Sequence, residues 1–548
     1  MDVVLVGLPG TGKTAIGRRI VRRHGATFVD IDELIESVAG KPIPAIFADE
    51  GEAGFRARER AAVVALGPPD VGAGLARVIA TGGGTPVDPR NRWRLYRGRV
   101  VVWLDGPPGI LASRLRRSRV VRPLVEGRDA AATVAALAAA RERFYAPALR
   151  VNGIAPLRTV AATIEHHLAD DVTGATALFR AATPIGTLEI GDGTARRSVG
   201  AALAALEAGR AIVISEPRAW EVGGAALADG LAKDGIVIDR ILLPGGEAAK
   251  SLRVVERAAR ELARLHAERG DPIVAVGGGA LGDTAGFVAA TYLRGVPLVH
   301  VPTTLVAQLD SSIGGKVAVD LPEGKNLVGA FHQPAAIIID VAFLRTLPVR
   351  HLRAALGEAA KMGALGDERL LELLEDEGSA MARRAPSAFE SGAFAEVVER
   401  CAWAKVEVVV ADERERGATS GRIALNLGHS VGHGIETAAG YRGVLHGEAI
   451  AYGLRAACRI GEALGMTPAG RARRIEALLD RLDLAVAPLP YPAAAVLDAM
   501  RVDKKVRGGR LRWVLPTEGG VTVTTDVPEG LVARVTAGVL AGRDRRHT

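Results

Sequence analysis

One stretch, residues 271–334, constrains the fold of this chain more than any other. It opens with the apolar run IVAV at 273–276 and passes directly into a glycine-rich turn, Gly277, Gly278, Gly279 and Gly282. A buried strand that leads through such a turn into a helix lets bare backbone N–H groups approach a pyrophosphate. In a chain with 66 glycines the same pattern could be only a tight turn, so the residues around it decide between the two interpretations.

The residues after this turn are rich in groups that bind anions and hydroxyls. They are Asp283, Arg294, Thr303, Thr304, Asp310, Lys316, Lys325 and Asn326. Lys316 and Lys325 each follow a glycine, which places their ammonium groups where the backbone leaves room for an anion. The stretch therefore predicts that the glycine turn binds a nucleotide and that an anion-binding site lies beside it.

The motifs GGGxxGDxxGFxAAxYxRG, PTTLxAQxDSSIGGK and GKNLxGAFxQP resemble 3-dehydroquinate synthase, the NAD- and zinc-dependent cyclase of the shikimate pathway. The resemblance covers about residues 184–548. It implies an NAD⁺ site, for which the matching residues are Glu247, Lys250, Gly278, Gly279, Asp283, Thr303 and Thr304. Glu216 stands where the family more often has Asp or Asn with Thr, and it is the candidate contact to the adenosine ribose.

Length and composition exclude several classes of protein. At 548 residues the chain is too long for one core, and length alone suggests roughly three or four domains. No tract of about 18 apolar residues lacks charges, which predicts a soluble globular protein without a membrane segment. The first residues lack the basic region of a signal peptide, and only two cysteines occur, so we expect a cytoplasmic protein without disulfides.

The net charge of +8 does not indicate a nucleic-acid partner, because aromatic residues make up only 4% and no basic and aromatic residues cluster together. We expect small anionic ligands instead. Only ten of the 70 basic residues are lysines, which should persist mainly where a compact ammonium is required. Eight of these lysines fall in candidate ligand-binding motifs: Lys13, Lys250, Lys316, Lys325, Lys361, Lys405, Lys504 and Lys505.

A second glycine loop lies near the start of the chain. The apolar pattern DVVLVGL leads into GLPGTGKT at 7–14, and a helical run follows. This is GxxxxGK[ST] in its strand–loop–helix setting, in which the amides around Gly10 and Gly12 cradle phosphates. Lys13 would reach the β and γ oxygens of ATP, and Thr14 would offer a hydroxyl to Mg²⁺. The alternative is a glycine turn that binds nothing.

The groups that would select the phosphate acceptor follow this loop. Asp30 and Asp32 end the next strand pattern and should share one side of it, so that one carboxylate serves Mg²⁺ and the other the attacking hydroxyl. Asp32 could instead be a helix N-cap. Arg56 would clamp a carboxylate with both arms of its guanidinium, or be a solvated helix residue. A further strand pattern ends in Gly82, Gly83 and Gly84.

The motifs GxxGxGKTxxGRR, FxDxDxxIE, GExxFRxxE, GGG and RPL resemble shikimate kinase over about residues 1–170. The resemblance implies ATP and Mg²⁺ as cofactors, with Thr14 and Asp30 on the magnesium side. The residues that it assigns to shikimate are Asp32, Arg56, Gly82, Gly83, Gly84 and Arg141. Arg122 of the RPL motif would cover the transferring phosphoryl group. The lid segment is short, and Arg116, Arg117 and Arg119 all stay candidates for the adenine contact.

The order of the patterns predicts an α/β chain in two parts, a P-loop kinase domain and a synthase-like unit. Strand patterns for a parallel P-loop sheet lie at 2–8, 27–32, 77–84 and 99–105. Those for a second, Rossmann-like sheet lie at 211–215, 240–244, 273–276, 298–302 and 336–340. The predicted segments are a kinase domain at 1–171, a linker at 172–183, an NAD-binding α/β domain at 184–344 and a mainly α-helical zinc and substrate domain at 345–548.

Three histidines cluster in the helical part of the chain. His429, His433 and His446 lie within 18 residues, each beside a glycine, and buried structural histidines would not usually cluster in this way. Spacing alone suggests His429 and His433, at i and i+4, as a zinc pair. The synthase resemblance instead assigns Zn²⁺, or Co²⁺, to Glu358, His429 and His446 and directs His433 to the substrate phosphate. Glu358 and Lys361 should face the same way on one helix.

The synthase resemblance also implies the substrate, 3-deoxy-arabino-heptulosonate 7-phosphate, and a homodimer in which a neighbouring subunit supplies Arg294. NAD⁺ would take a hydride, phosphate would leave, and the hydride would return before ring closure to 3-dehydroquinate. The matching catalytic and substrate residues are Arg294, Asp310, Lys316, Lys325, Asn326, Lys361, Lys405, Arg422, Asn426, His433, Lys504 and Lys505. The chain is about three residues longer than the family pattern before Arg422, which would displace Glu415 and the approach to Arg422.

Three hypotheses follow from these patterns. The first is a bifunctional enzyme with both activities. The second keeps the kinase and makes the other half a related cyclase that acts on sedoheptulose 7-phosphate. The third makes one half a non-catalytic scaffold, against which the complete sets of charged residues in both halves argue. The two reactions are not consecutive in the pathway, so the fusion does not imply channelling.

Overall fold

The computed structural model describes residues 1–70, 72, 74–117, 129–168, 176–413, 421–501, 506–507 and 510–542. The chain divides into two compact units. One comprises Met1–Ala182 with Thr187–Ser198, and the other comprises Thr183–Gly186 with Val199–Thr548. Both have the α/β structure with parallel strands that the sequence predicts. Five residues named in the predictions lie outside the described residues, namely Arg119, Arg122, Glu415, Lys504 and Lys505.

The first unit contains a parallel sheet between helices. Its strands are β1 (Asp2–Val6), β2 (Thr27–Asp30), β3 (Arg77–Ala80), β4 (Val100–Asp105) and β5 (Leu149–Asn152), in the order β2-β3-β1-β4-β5. Its helices are α1 (Lys13–His24), α2 (Ile31–Ala39), α3 (Ile43–Ala65), α4 (Pro89–Tyr96), α5 (Pro108–Arg116), α6 (Ala130–Tyr145) and α7 (Leu157–His167).

The central strand of this sheet explains why its sequence is so easily recognised. β1 is buried along its whole length, as expected of a parallel strand covered on both faces, so its sequence is an unbroken apolar run after Asp2. β5 escaped prediction because only Val151 of its four residues is buried, and the strand therefore lacks an apolar run.

Residues 176–183, which the sequence predicts as part of a linker, form a strand. β6 (Thr176–Thr183) is followed by β7 (Gly186–Asp192) and α8 (Ala195–Ala205). Leu178 and Phe179 are buried, so β6 has a core-facing apolar centre within a frame of small and polar residues. Because these flanking residues are small and polar, the composition of the segment suggested a linker rather than a strand. The rest of the expected linker, 172–175, lies outside the described residues.

The second unit has its own run of parallel strands. Its first strands are β8 (Arg210–Ser215), β9 (Val237–Leu242), β10 (Ile273–Gly277), β11 (Leu298–Pro302), β12 (Lys316–Leu321), β13 (Gly324–Phe331) and β14 (Ala336–Asp340). The accompanying helices are α9 (Pro217–Ala219), α10 (Ala225–Lys233), α11 (Leu252–Arg264) and α12 (Gly279–Thr291). Five of the strands lie in the order β14-β11-β10-β8-β9. β8 pairs with β9 on one side and β10 on the other, so strand order reverses there, and such a switch point opens a crevice at the carboxyl ends of the strands.

β12 and β13 form an antiparallel hairpin that the sequence patterns did not reveal. Its inner face packs Val317 and Val319 against Phe287 of α12. The glycines and polar residues that begin β13 interrupt the alternation by which strands are recognised. The hairpin places Lys316 at the start of one strand and Lys325 at the start of the other.

The remainder of the second unit is mainly helical. Its helices are α13 (Val349–Ala364), α14 (Glu368–Ala382), α15 (Pro386–Glu390), α16 (Ala393–Ala411), α17 (His429–Ala438), α18 (His446–Ala463), α19 (Ala469–Arg481), α20 (Ala493–Arg501) and α21 (Glu529–Leu540). Short strand pairs are β15 (Val506–Arg507) with β16 (Arg510–Leu511), and β17 (Trp513–Pro516) with β18 (Val521–Thr524). Among the described residues, no helix has both the length and the apolar character needed to cross a membrane.

A buried ion cluster anchors the amino-terminal end of β1. The fully buried Asp2 carboxylate accepts hydrogen bonds from Nε of Arg77 at 3.0 Å and Nε of Arg99 at 3.1 Å. Burial raises the pKa of Asp2, but the Arg77 hydrogen bond and the backbone N–H of Asp70 outweigh it, so the pKa lies below the usual value. The ionised carboxylate therefore contributes stability that is present above the unfolded-state pKa and is lost as the pH falls through the folded-state pKa.

We predict that Asp2→Asn destabilises the first unit by about 3–5 kcal/mol, because it leaves the buried Arg99 without its carboxylate. The measurement is urea denaturation of the full chain, followed through the loss of the first unit's activity. Asp49→Asn is the control, since Asp49 pairs with Lys41 at the surface and should cost less than about 1 kcal/mol. Equal effects of the two substitutions would contradict the prediction.

Candidate active sites

The loop between β1 and α1 has the conformation of an anion-binding turn. Gly10 and Gly12 have φ of +88° and +90°, in the left-handed region that favours glycine. Lys13 is buried, and its Nζ donates to the carbonyl oxygens of Gly7 at 2.7 Å and Leu8 at 3.0 Å. The ammonium is thereby held across the loop whose amides begin α1, which is where a phosphate would be bound.

Thr14 and Asp30 meet at the mouth of this loop. Oγ1 of Thr14 donates to Oδ2 of Asp30 at 2.7 Å, and Oδ1 of Asp30 accepts from the backbone N–H of Asp32 at 3.0 Å. The strand-alternation argument for the two aspartates is wrong, because β2 ends at Asp30 and Asp32 lies in the first turn of α2. Asp30, rather than Asp32, is the helix N-cap. Both carboxylates nevertheless line the same cleft.

The glycine run after β3 faces charged side chains. A Cβ at Gly82 would lie 2.8 Å from Oδ1 of Asp32, and a Cβ at Gly84 would lie 2.8 Å from both terminal nitrogens of Arg56. A Cβ at Gly83 would lie 3.3 Å from Nη1 of Arg141. The structure thus brings together all the described residues that the sequence assigned to the phosphate acceptor.

Two residues that sequence reasoning missed hold this group in place. Glu59 is buried and accepts from Nη1 of Arg56 at 2.9 Å and from Oγ1 of Thr85 at 2.9 Å. Its sequence signals were the i,i+3 spacing from Arg56 and its place at the end of the motif GExxFRxxE, but neither indicated its role. Tyr145 donates to the carbonyl oxygen of Gly83, and burial, partly offset by Arg141, raises the pKa of Tyr145 to about 12.

The cleft of the first unit has a volume of about 330 Å³ and extends from the loop after β1 to the glycine run after β3. Arg114 lines it and donates to the carbonyl oxygens of Gly10 at 3.4 Å and Gly153 at 3.3 Å. Of the three arginines predicted as candidates for adenine, Arg116 and Arg117 are exposed, as Arg114 is, and do not line this cleft, whereas Arg119 lies outside the described residues. Arg114 was missed because nothing in its motif distinguishes it from its neighbours.

In the second unit, the glycine turn lies at the switch point of the sheet. Glu216 follows β8, and its carboxylate accepts from the backbone N–H of Gly278 at 3.3 Å and of Gly246 at 3.0 Å. A Cβ at Gly278 would approach Cγ2 of Thr304 to 3.2 Å, while the buried Oγ1 of Thr304 has no hydrogen-bond partner among the described residues. A close backbone approach beside an unsatisfied hydroxyl fits a bound dinucleotide.

Polar side chains continue from this crevice onto the hairpin. Nζ of Lys250 donates to Oδ2 of Asp283 at 2.5 Å and to Oδ1 of Asn326. Burial, opposed by Lys250, raises the pKa of Asp283 to about 6. Nζ of Lys325 lies 3.2 Å from Oε1 of Glu247. The predicted cofactor and substrate residues are therefore neighbours at this end of the sheet.

Glu358, His429 and His446 converge in the helical part. Their candidate ligand atoms lie within 4.8 Å of one another, which is compatible with one shared cation. Oε1 of Glu358 lies 3.8 Å from Nε2 of His429 and 3.3 Å from Nε2 of His446. His433, the partner that helical spacing suggested for His429, belongs instead to a second cluster with Glu436 and His446.

Glycines allow these three residues to meet. A Cβ at Gly357 would lie 2.5 Å from the carbonyl oxygen of Gly447, and a Cβ at Gly447 would overlap the backbone of Ala354. Gly428, with φ of +76°, caps α17 directly before His429. The glycine beside each histidine is thus explained by the close contacts of α13, α17 and α18.

The electrostatics of this cluster fit a cation. Lys361 Nζ lies 2.5 Å from one Glu358 oxygen and His446 lies near the other, yet neither buried oxygen accepts a hydrogen bond of good geometry from a described residue. Burial lowers the pKa of His446, but the neighbouring carboxylates of Glu358 and Glu436 raise it to about 10. A buried carboxylate without a good hydrogen-bond donor, beside two imidazole nitrogens, is a donor set that a divalent cation would satisfy.

Two more predicted residues, the buried Lys405 and the half-buried Asp310, form an ion pair beside the cluster. Nζ of Lys405 lies 2.5 Å from Oδ1 of Asp310. Burial raises the pKa of Asp310, but Lys405 and Lys361 outweigh it and hold the pKa below its usual range. Burial lowers the pKa of Lys405 despite the attraction of Asp310. We take both groups as ionised, because the 2.5 Å separation makes the charged pair the favourable state.

The remaining predicted residues differ in their placement. Nη1 of Arg422 donates to the carbonyl oxygen of Glu413 at 2.7 Å, and a Cβ at Gly314, two residues before Lys316, would lie 2.9 Å from Nη2 of Arg422. Asn426 ends the short 3₁₀ helix Gly421–Asn426. Arg294 is exposed with φ of +67°, and no described contact joins it to the cluster.

Three family models match the chain. They are shikimate kinase at residues 9–163, 3-dehydroquinate synthase N-terminal at 240–354 and 3-dehydroquinate synthase C-terminal at 355–506. The 3-dehydroquinate synthase of Symbiobacterium thermophilum is 44% identical over 324 residues, which cover 59% of this chain and 88% of that protein. The enzyme of Synechococcus sp. is 41% identical over 333 residues, which cover 60% of this chain and 89% of that protein.

Solved structures show the same fold in the second unit. The 2-epi-5-epi-valiolone synthase of Streptomyces hygroscopicus, with NAD⁺ and Zn²⁺ bound, is 26% identical with a TM-score of 0.59, covering 64% of this chain and 96% of that one. A 2-deoxy-scyllo-inosose synthase complexed with carbaglucose-6-phosphate, NAD⁺ and Co²⁺ is 27% identical with a TM-score of 0.59, covering 66% of this chain and 99% of that one.

Fold and site together define a P-loop kinase domain and an α/β unit followed by helices that carry a Glu-His-His cluster. The chain belongs to the 3-dehydroquinate synthase family, and its amino-terminal part is a shikimate kinase domain. It is therefore an enzyme of both classes, as the motifs predict.

We predict that Gly84→Ala raises the KM for shikimate by about ten- to a hundredfold, because the new Cβ displaces the guanidinium of Arg56. Gly84 has φ of −98°, so the substitution adds no backbone strain and should leave the stability of the unit unchanged. Steady-state kinetics measure the effect. Gly109→Ala in α5 is the control, since its Cβ would meet no described atom within 4 Å, and an unchanged KM in Gly84→Ala would contradict the prediction.

Proposed function

We propose that the chain is a bifunctional enzyme of the shikimate pathway. The first part phosphorylates the 3-hydroxyl of shikimate with ATP, and the second converts 3-deoxy-D-arabino-heptulosonate 7-phosphate to 3-dehydroquinate and phosphate. The observation that carries the proposal is that each of two glycine turns lies beside its own set of charged groups. The proposed functional segments are 1–171 for the kinase, 184–344 for NAD⁺ binding and 345–548 for the metal and substrate.

In the kinase, the chain positions two anions toward each other. Lys13 and the amides of its loop bind the phosphates of ATP, while Arg56 and Arg141 hold the carboxylate of shikimate. Asp32 accepts the proton of the attacking hydroxyl. Thr14 and Asp30 would hold Mg²⁺, which neutralises phosphate charge when bound. Arg122, outside the described residues, is proposed to cover the transferring group.

In the synthase, Glu358, His429 and His446 would hold a divalent cation, and the crevice at Gly278 and Gly279 would hold NAD⁺. When bound, the cation lowers the pKa of a substrate hydroxyl and NAD⁺ accepts and returns a hydride. The other proposed cofactor contacts are Glu247, Lys250, Asp283, Thr303 and Thr304.

The remaining charged groups would fix the substrate between cation and cofactor. Most of them are cations, which suits a substrate with a phosphate and a carboxylate. Asp310 and Asn326 supply acceptors for hydroxyls. The proposed substrate residues of the second unit are Arg294, Asp310, Lys316, Lys325, Asn326, Lys361, Lys405, Arg422, Asn426, His433, Lys504 and Lys505.

A homodimer is proposed because no described contact joins Arg294 to the site of its own chain. Leu293 and Phe331 are 39% and 48% exposed. Gly295 lies against His332, which follows Phe331 directly, so these apolar side chains flank one surface next to Arg294. Exposed apolar residues beside a charged group are typical of a protein interface.

We predict that Lys13→Ala lowers the kcat/KM for shikimate phosphorylation by about a hundredfold or more, while phosphate release by the synthase is unchanged. His429→Ala should abolish phosphate release and leave ADP formation intact. Coupled assays for ADP and phosphate on the same preparations measure both. Loss of both activities in either variant would exclude two independent sites, and an inactive synthase in the unsubstituted chain would favour the scaffold hypothesis.

A related sugar-phosphate cyclase is the competing function for the second part, since the two solved structures are such enzymes. Identity favours the synthase, at 44% against 26–27% for the cyclases. We predict a kcat/KM at least about a hundredfold higher for 3-deoxy-D-arabino-heptulosonate 7-phosphate than for sedoheptulose 7-phosphate, because the latter lacks the carboxylate that the site's cations pair with. The reverse preference, measured by phosphate release with NAD⁺ and Zn²⁺ present, would assign the cyclase function instead.

A further inference from the structure

Glu436 contacts the metal cluster without belonging to the Glu358, His429 and His446 set. It lies on α17, two turns after His429, and its side chain is buried. Its Oε2 lies 3.0 Å from Nδ1 of His446. Its Oε1 lies 3.7 Å from Nζ of Lys325 on β13. One carboxylate therefore touches a cluster histidine on one side and a hairpin lysine on the other.

The contact with His446 fixes which ring nitrogen carries the proton. A carboxylate can only accept, so Nδ1 of His446 must donate to Glu436, and in the neutral ring the lone pair is then on Nε2. Nε2 is the atom that faces Glu358, at 3.3 Å. His429 has the same arrangement, since its Nδ1 lies 3.1 Å from the carbonyl oxygen of Leu427 while its Nε2 faces Glu358. Each histidine of the cluster is thus oriented by an acceptor behind it.

The contact with Lys325 is supported by a second residue of the same segment. The backbone N–H of Tyr441 donates to the carbonyl oxygen of Glu436 at 2.8 Å, and the Tyr441 hydroxyl lies 3.1 Å from Oγ1 of Thr437. Nζ of Lys325 lies 4.6 Å from the centre of the Tyr441 ring. The end of α17 therefore holds the Lys325 ammonium by both charge and ring, next to the cluster.

We propose that Glu436 is a positioning residue that sets the tautomer and orientation of His446 for metal binding and keeps Lys325 beside the metal site. This inference rests on the metal site of the proposed function. An acceptor behind a histidine ligand fixes the ring and raises the basicity of the ligand nitrogen, and removal of such a partner typically costs about 10–100-fold in metal affinity.

The test measures metal affinity in the full chain. Zn²⁺ dissociation constants are determined by competition with a chromogenic chelator for the unsubstituted protein, Glu436→Gln and Glu436→Ala, and Co²⁺ absorption spectra report the geometry of the bound ion. Glu247→Gln is the matched control, because it removes a carboxylate from Lys325 without touching His446. Kinase activity and the circular dichroism spectrum verify that each variant is folded.

We expect Glu436→Ala to weaken Zn²⁺ binding by about 100-fold and to change the Co²⁺ spectrum. Glu436→Gln should weaken binding by about tenfold and keep the spectrum, because its amide oxygen still accepts from Nδ1. Glu247→Gln should match the unsubstituted protein in both. If Glu436→Ala does not fold, the Zn²⁺ affinity of Glu436→Gln tests the proposal alone. An affinity of Glu436→Gln within about threefold of that of the unsubstituted protein would overturn the proposal.

Two other outcomes also overturn it. Two bound ions per chain that fall to one in Glu436→Gln would make Glu436 a ligand of a second ion, held with His433 and His446. No Zn²⁺ binding by the unsubstituted protein would remove the metal site of the proposed function itself. That result differs from a failure of the Glu436 proposal alone, because neither the unsubstituted protein nor any variant would then bind Zn²⁺.

Discussion

The backbone contact between three helices is the constraint on which the synthase site depends. Glu358, His429 and His446 come from α13, α17 and α18, and their side chains can meet only if these helices approach more closely than side chains normally allow. A Cβ at Gly447 or Gly453 would overlap the backbone of Ala354 or Gly428. Glycine at these positions lowers the intrinsic stability of the helices but lets them approach closely, so that the three candidate ligand side chains converge.

The kinase site uses glycine for a different purpose. Gly82, Gly83 and Gly84 do not bring helices together but leave space in front of charged groups that are held from behind, as Arg56 is by Glu59. In the synthase part, His429 and His446 are held in a similar way, because their Nδ1 atoms contact acceptor oxygens of Leu427 and Glu436. In both parts the residues proposed to contact a ligand come from motifs, whereas the support that orients them depends on contacts that only the folded chain shows.

This division explains what the sequence could and could not predict. Continuous apolar strands such as 336–340, and loops whose glycines need positive φ, follow from local rules, and the structure has them where expected. β5, β6 and the β12–β13 hairpin were missed because none of them shows a clear apolar pattern: β5 buries one residue, small and polar residues flank the apolar centre of β6, and glycines interrupt β13. Asp32 was placed on a strand because alternation carries no information about where a strand ends.

The same reasoning applies within the sites. The resemblance to known families identified the charged residues, but the roles of Glu59, Arg114 and Glu436 depend on contacts that only the folded chain shows. Helical spacing suggested His429 with His433, whereas the shared position near Glu358 belongs to His429 and His446. Tertiary proximity, which spacing does not encode, favours the second pair.

Four of the described lysines of the second site, Lys250, Lys325, Lys361 and Lys405, each have a carboxylate partner within the fold: Asp283, Glu247, Glu358 and Asp310. An anionic ligand that binds these ammonium groups must therefore displace the carboxylates with which they are already paired. A monovalent anion gains little from such an exchange, because it replaces one paired charge by another. A ligand that carries several negative charges can replace several of these carboxylates at once. The arrangement therefore favours multiply charged anions over monovalent ones, whatever their shape.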